Sequence, residues 1–130
     1  MRTSKYLDEL GVEPNKQFTN FVSDFDNRAE EWLKFKAETG VDPRETWNLD
    51  NQLAQFIYTR FSAFKELALN TINLEYYKFE YHGKLITQLK AIEIIIEEFG
   101  KYLKAGEEDK YKIPQDICIL LGEIFPYMWW

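Results

Sequence analysis

The chain is poor in the residues that build metal centres and covalent staples. Its 130 residues include one cysteine, Cys118, and one histidine, His82. A single cysteine closes no intramolecular disulfide, which fits a reducing cytoplasm. One histidine and one distant cysteine fall short of the nitrogen- and sulfur-rich ligand set that zinc takes. A helical di-iron site would need two Glu-x-x-His motifs, and none is present. There is also no glycine-rich phosphate loop and no nucleophile elbow. No catalytic residue, cofactor or metal is expected, and the chain reads as a protein without enzymatic chemistry.

Long apolar runs are missing too. The longest aliphatic stretch, residues 91–96, is interrupted by Glu93 and is far below the ~20 residues of a membrane span. The first ten residues lack the apolar core of a signal peptide. Positive charge is in deficit: 22 acidic against 16 basic residues leave a formal charge of −6. That sign opposes non-specific binding to nucleic acid or to an anionic membrane surface. The acidic residues are dispersed among lysines rather than massed as on a DNA mimic. Their one run, Glu107-Glu108-Asp109, reads as a solvated loop.

Aromatic side chains are abundant, with ten Phe, eight Tyr and four Trp. Each such ring can bury about 150–250 Å², so a single 130-residue domain has ample material for a core. Glycine and proline are few and fall where helices should begin or end. Thr3 or Ser4 can cap a short helix over 5–10 that Gly11 ends. From 16 to 39, Phe18, Phe21, Val22, Phe25, Ala29, Trp32 and Leu33 recur on one helical face, and Gly40 is the natural terminator. Asp42-Pro43-Arg44-Glu45 is a capping box with proline at the first position.

The next helix runs over 48–72. Its expected stripe is Leu49, Leu53, Phe56, Ile57, Phe61, Phe64, Leu67, Ala68 and Ile72, with Trp47 folded back onto it as a staple. A helix over 84–104 presents Leu85, Leu89, Ile92, Ile96, Phe99 and Leu103, with Ile86 and Ile95 widening the stripe. A last helix over 114–125 carries Ile117, Leu120, Leu121, Ile124 and Phe125. Tyr77, Phe79 and Tyr81 alternate like a strand but lack an evident pairing partner, so 74–81 reads as a connection. The expectation is an all-α bundle of about four helices with a short N-terminal one.

His82, beside Gly83 at a turn, reads as an exposed turn residue, with acid–base work as the sharper alternative. Cys118 reads as a small buried hydrophobe rather than a nucleophile. Two aromatic groups resist a purely structural account. Tyr127, Trp129 and Trp130 end the chain after a proline and either pack into the bundle or form an exposed anchor. Tyr76, Tyr77 and Tyr81 concentrate aromatic surface where periodicity is weak. Such residues are enriched at binding hot spots, so these six are the candidate partner-binding residues.

Three segments carry a resemblance. The first is Glu45-Thr46-Trp47-Asn48-Leu49-Asp50 followed by Ala54, Phe56, Ile57, Arg60, Phe61 and Phe64-Lys65-Glu66. The others are the aliphatic helix over 85–99 and the aromatic end over 121–130. In this order they resemble a family of small uncharacterised bacteriophage and prophage proteins, across about two-thirds of the chain. Thr59 stands where family members often have proline. The resemblance implies a phage source, hence the bacterial cytoplasm, but no activity and no catalytic residue. The leading expectation is a protein that acts by binding a host factor, a defence component or a phage protein. The alternative is a self-associating minor structural or scaffolding protein of the virion.

Overall fold

The computed structural model describes residues 5–14, 28–105 and 111–130. Expectations placed on 1–4, 15–27 and 106–110 lie outside the described residues. These include the first half of the expected 16–39 helix and the acidic loop.

Five α-helices and one β-hairpin make up the described fold: α1 Lys5–Leu10, α2 Ala29–Thr39, α3 Leu49–Ala68, β1 Lys78–Tyr81, β2 Lys84–Thr87, α4 Gln88–Ala105 and α5 Gln115–Ile124. The architecture is mainly helical, as expected, but it is not all-α. The expected 84–104 helix begins four residues late because 84–87 is β2, the missing partner of the Tyr77/Phe79/Tyr81 alternation. The physical cause is the two-residue turn between the strands. His82 and Gly83 both have positive φ, 51° and 75°, the conformation that lets a tight hairpin match the twist of its strands. Strand pairing is antiparallel, with Phe79 opposite Ile86 and Tyr81 opposite Lys84.

Helix ends follow the local chemistry. Gly11 and Gly40 take left-handed conformations at the ends of α1 and α2. Asp42 accepts from the Arg44 backbone N–H at 2.9 Å, and Glu45 returns the contact to the Asp42 N–H at 3.2 Å, closing the capping box around a 3₁₀ turn over Pro43–Thr46. Two N–H groups of the first turn of α4, which lack intrahelical acceptors, are taken up by the preceding segment. Gln88 N–H donates to the Tyr77 carbonyl at 3.1 Å and Leu89 N–H to the Leu74 carbonyl at 3.0 Å.

α3, α4 and α5 form the body. Lys65–Glu93 and the Tyr102–Asp50 hydrogen bond run α3 antiparallel to α4, and Tyr111–Glu98 just before α5 with Gln88–Tyr127 just after it do the same for α5. At Gly100, in the middle of α4, an added Cβ would lie 3.1 Å from the Tyr58 ring, so the missing side chain sets how closely α3 approaches. The core is Ala91, Ile92, Ile95, Phe99 and Leu103 of α4 with Ile117, Leu120 and Ile124 of α5, closed by Leu7, Ala54, Ala68, Leu74 and Phe79. The stripe expected on α3 divides in two. Ile57, Phe61, Phe64 and Ala68 face the core beside Ala54, whereas Leu49, Leu53, Phe56 and Leu67 are exposed, and Ile72 lies beyond the helix, which ends at Ala68 rather than at 72. At 3.6 residues per turn the two sets lie roughly a quarter-turn apart, so one helix cannot aim both at α4. Arg60, on the exposed side, lies over the Phe56 ring at 4.8 Å.

The Trp47 ring meets Trp32 of α2 edge-on at 5.8 Å, and the Arg28 guanidinium covers Trp32 at 4.6 Å. Arg44 lies 5.1 Å from the same ring and pairs with Asp42 at 2.6 Å, both side chains buried. That bond to Arg44 holds the Asp42 carboxyl down at about 2, against burial pushing it up.

Candidate functional site

The six candidate aromatics separate into one cluster and one outlier. Tyr127 lies in a 3₁₀ turn over Phe125–Tyr127 that continues α5, because Pro126 cannot extend the α-helical hydrogen-bond pattern. Its ring packs against Tyr77 at 4.5 Å and Phe79 at 5.5 Å, and Tyr77 meets Tyr76 edge-on at 5.1 Å. Such edge-on and tilted contacts are worth about 0.5–1.5 kcal/mol beyond area burial. Trp129 and Trp130 follow Tyr127 directly and remain more than half exposed, as do Tyr76 and Phe125. Tyr77, Tyr127, Tyr76 and the terminal tryptophans therefore belong to one end of the molecule.

One residue that sequence reasoning passed over holds this cluster. Gln88 is almost wholly buried, yet it is a polar side chain. Its Nε2 donates to the Tyr127 carbonyl at 2.9 Å while its own N–H donates to the Tyr77 carbonyl. A buried amide is tolerated only when bonded, so this geometry ties the backbones at Tyr77 and Tyr127 through one residue. The signal was a glutamine among aliphatic positions just after Ile86-Thr87.

Tyr81 stands apart, at the other end of β1. Its ring stacks on His82 at 4.0 Å, and His82 Nε2 contacts the carboxylate of Asp116 in the first turn of α5. Burial, then the negative charges of Asp116 and Glu98, push the Tyr81 hydroxyl up. Glu98 accepts from Tyr111 and, at 3.0 Å, from Lys101. Burial alone would raise the Glu98 carboxyl, but these two bonds outweigh it and the net shift is downward. The exposed imidazole is thus oriented by a carboxylate, and the contact pins the hairpin turn to α5. Cys118, expected to be buried, is exposed on α5, whose inward face belongs to Ile117, Leu120 and Ile124.

Among the described residues no group of three or more His, Cys, Asp or Glu side chains is placed to hold a metal ion. No described helix is long and apolar enough to cross a membrane. Comparison with protein-family models, curated proteins and solved structures yields no match.

Proposed function

We propose that this chain acts without catalysing a reaction, by binding a protein partner through the aromatic end built from Tyr76, Tyr77, Tyr127, Trp129 and Trp130. The observation that carries the reading is the anchoring of this cluster. Gln88 fixes the backbone beneath Tyr77 and Tyr127 while the outer rings stay in solvent. Rigid, partly exposed Trp and Tyr lose little conformational freedom on binding, which suits them as anchors. The resemblance to bacteriophage and prophage proteins supports a bacterial host cell as the setting, with a host factor, a defence component or another phage protein as partner.

The test is capture from infected-host lysate by the tagged protein, beside Trp129→Ala/Trp130→Ala and an exposed control, Leu53→Ala. The expected outcome is a stoichiometric partner held by wild type and control and lost by the double variant. Equal capture by all three, or capture by none, rejects the aromatic end as the binding surface. A second reading, self-association, is favoured by a separate observation on the outer edge of β1.

A further inference from the structure

From the edge of the hairpin we infer a second interaction surface: the outer edge of β1 pairs with β1 of a second copy of this chain, antiparallel and centred on Phe79.

The inference starts from hydrogen-bond parity. In an antiparallel ladder, bonded and non-bonded residue pairs alternate. Gln88 N–H donates to the Tyr77 carbonyl, so the pair 77/88 is bonded. With the observed register, 79/86 and 81/84 are then bonded pairs, while Lys78/Thr87 and Glu80/Leu85 are not. The N–H and C=O groups of Lys78 and Glu80 therefore point away from β2. No described residue outside the hairpin makes a backbone–backbone bond to them. An edge of this kind is a template for another strand.

The sequence along that edge says which strand fits. Residues 77–81 read Tyr-Lys-Phe-Glu-Tyr, which is self-complementary about its centre. A two-fold axis at Phe79 puts Lys78 opposite Glu80 of the second copy, and Glu80 opposite its Lys78. These are the residues whose main-chain groups point outward, so each of the two pairs closes two main-chain bonds, four in all. Both side chains are exposed and lie on the solvent face of the hairpin, where opposite charges directly across from one another stabilise a strand pair. On the other face Tyr77 comes opposite Tyr81 of the second copy, an aromatic cross-strand pair. Parallel pairing in register would instead set Lys78 beside Lys78 and Glu80 beside Glu80. Each copy carries a formal −6, so long-range repulsion opposes association and the local Lys–Glu pairs are what select this partner. An isologous contact of this size makes a weak, concentration-dependent dimer whose two hairpins form one four-stranded sheet.

The test is sedimentation of the full chain from low micromolar to millimolar concentration, with Lys78→Glu, Glu80→Lys and the exchanged double variant Lys78→Glu/Glu80→Lys. Far-UV circular dichroism verifies that each variant is folded. The aromatic end is untouched in all of them, so partner capture through Trp129 and Trp130 is scored separately. The expected result is a dimer in wild type, weakened at least tenfold by either single reversal and restored by the exchange. Amide hydrogen exchange at Lys78 and Glu80 should slow with concentration while that at Leu85 does not. A monomer throughout the range, or a dimer indifferent to the single reversals, overturns the proposal. So does a dimer weakened by the single reversals that the exchange does not restore.

Discussion

The two ends of the molecule are held together by different physics. Around α4 and α5 the buried residues are almost all aliphatic, and Ile92, Ile95 and Ile124 lose every trace of solvent contact. Around α2 and the 3₁₀ turn, α2 itself buries no residue completely. Arg28, Trp32, Arg44, Trp47 and Asp42 instead make a layered set of ring, guanidinium and carboxylate contacts. Area burial is additive and insensitive to pH, whereas an arginine–tryptophan–aspartate layer depends on each partner and on charge. The aliphatic end should therefore set global stability, and the layered end should set how the N-terminal half responds to acid and to point changes.

The largest expected effect is at the aliphatic end. Ile95→Ala should cost about 2–5 kcal/mol, since the side chain is fully buried and its neighbours can close the cavity only in part. Urea unfolding measures it, and a loss under ~1 kcal/mol would mean the core is not centred on α4. Next comes Arg44→Met, expected at roughly 2–3 kcal/mol, because it leaves the Asp42 carboxylate buried without its cation. The same pair gives an acid signature. The folded carboxyl titrates at about 2 rather than 3.8, so its contribution is fully present above the higher value. That contribution is lost as pH falls toward the lower one. Acid unfolding of wild type should show this step, and Arg44→Met should lack it. A smaller effect, about 1 kcal/mol, is expected for Gln88→Ala, which removes the side-chain bond to the Tyr127 carbonyl and leaves it only the Trp129 N–H at 3.0 Å. Tryptophan emission should shift in the same variant as the chain end loosens, and an unchanged spectrum would mean the tail is held by something else.

Much of this was legible in the sequence where one local rule decided the outcome. The capping box at Asp42–Glu45, the stops at Gly11 and Gly40 and most of the aliphatic stripes of α4 and α5 followed from spacing, but Leu85 and Phe125, expected on those stripes, are exposed. What failed depended on a second segment. Tyr77, Phe79 and Tyr81 showed a strand period, but Lys84–Thr87 was absorbed into a helix because Leu85 and Leu89 also fit a helical period. The turn residues decide that contest: His82-Gly83 bends the chain back and turns the alternation into a ladder. On α3, two apolar stripes a quarter-turn apart look like one broad stripe until the direction of α4 is known. Trp47 meets Trp32 of α2, a pairing no local rule encodes. Of the candidate site, the aromatic residues were legible by type, and the clustering of Tyr76, Tyr77 and Tyr127 away from Tyr81 was not. It depends on Gln88, whose polarity in an aliphatic context was the available clue.

The central claim is that the terminal aromatics belong to a surface and not to the core. Its most direct test is the unfolding free energy of Trp129→Ala/Trp130→Ala against wild type. Two side chains more than half exposed should cost no more than about 0.5 kcal/mol each, leaving the midpoint nearly unchanged. A loss of several kcal/mol, of the kind that buried aromatics give, would place them in the core and contradict the account.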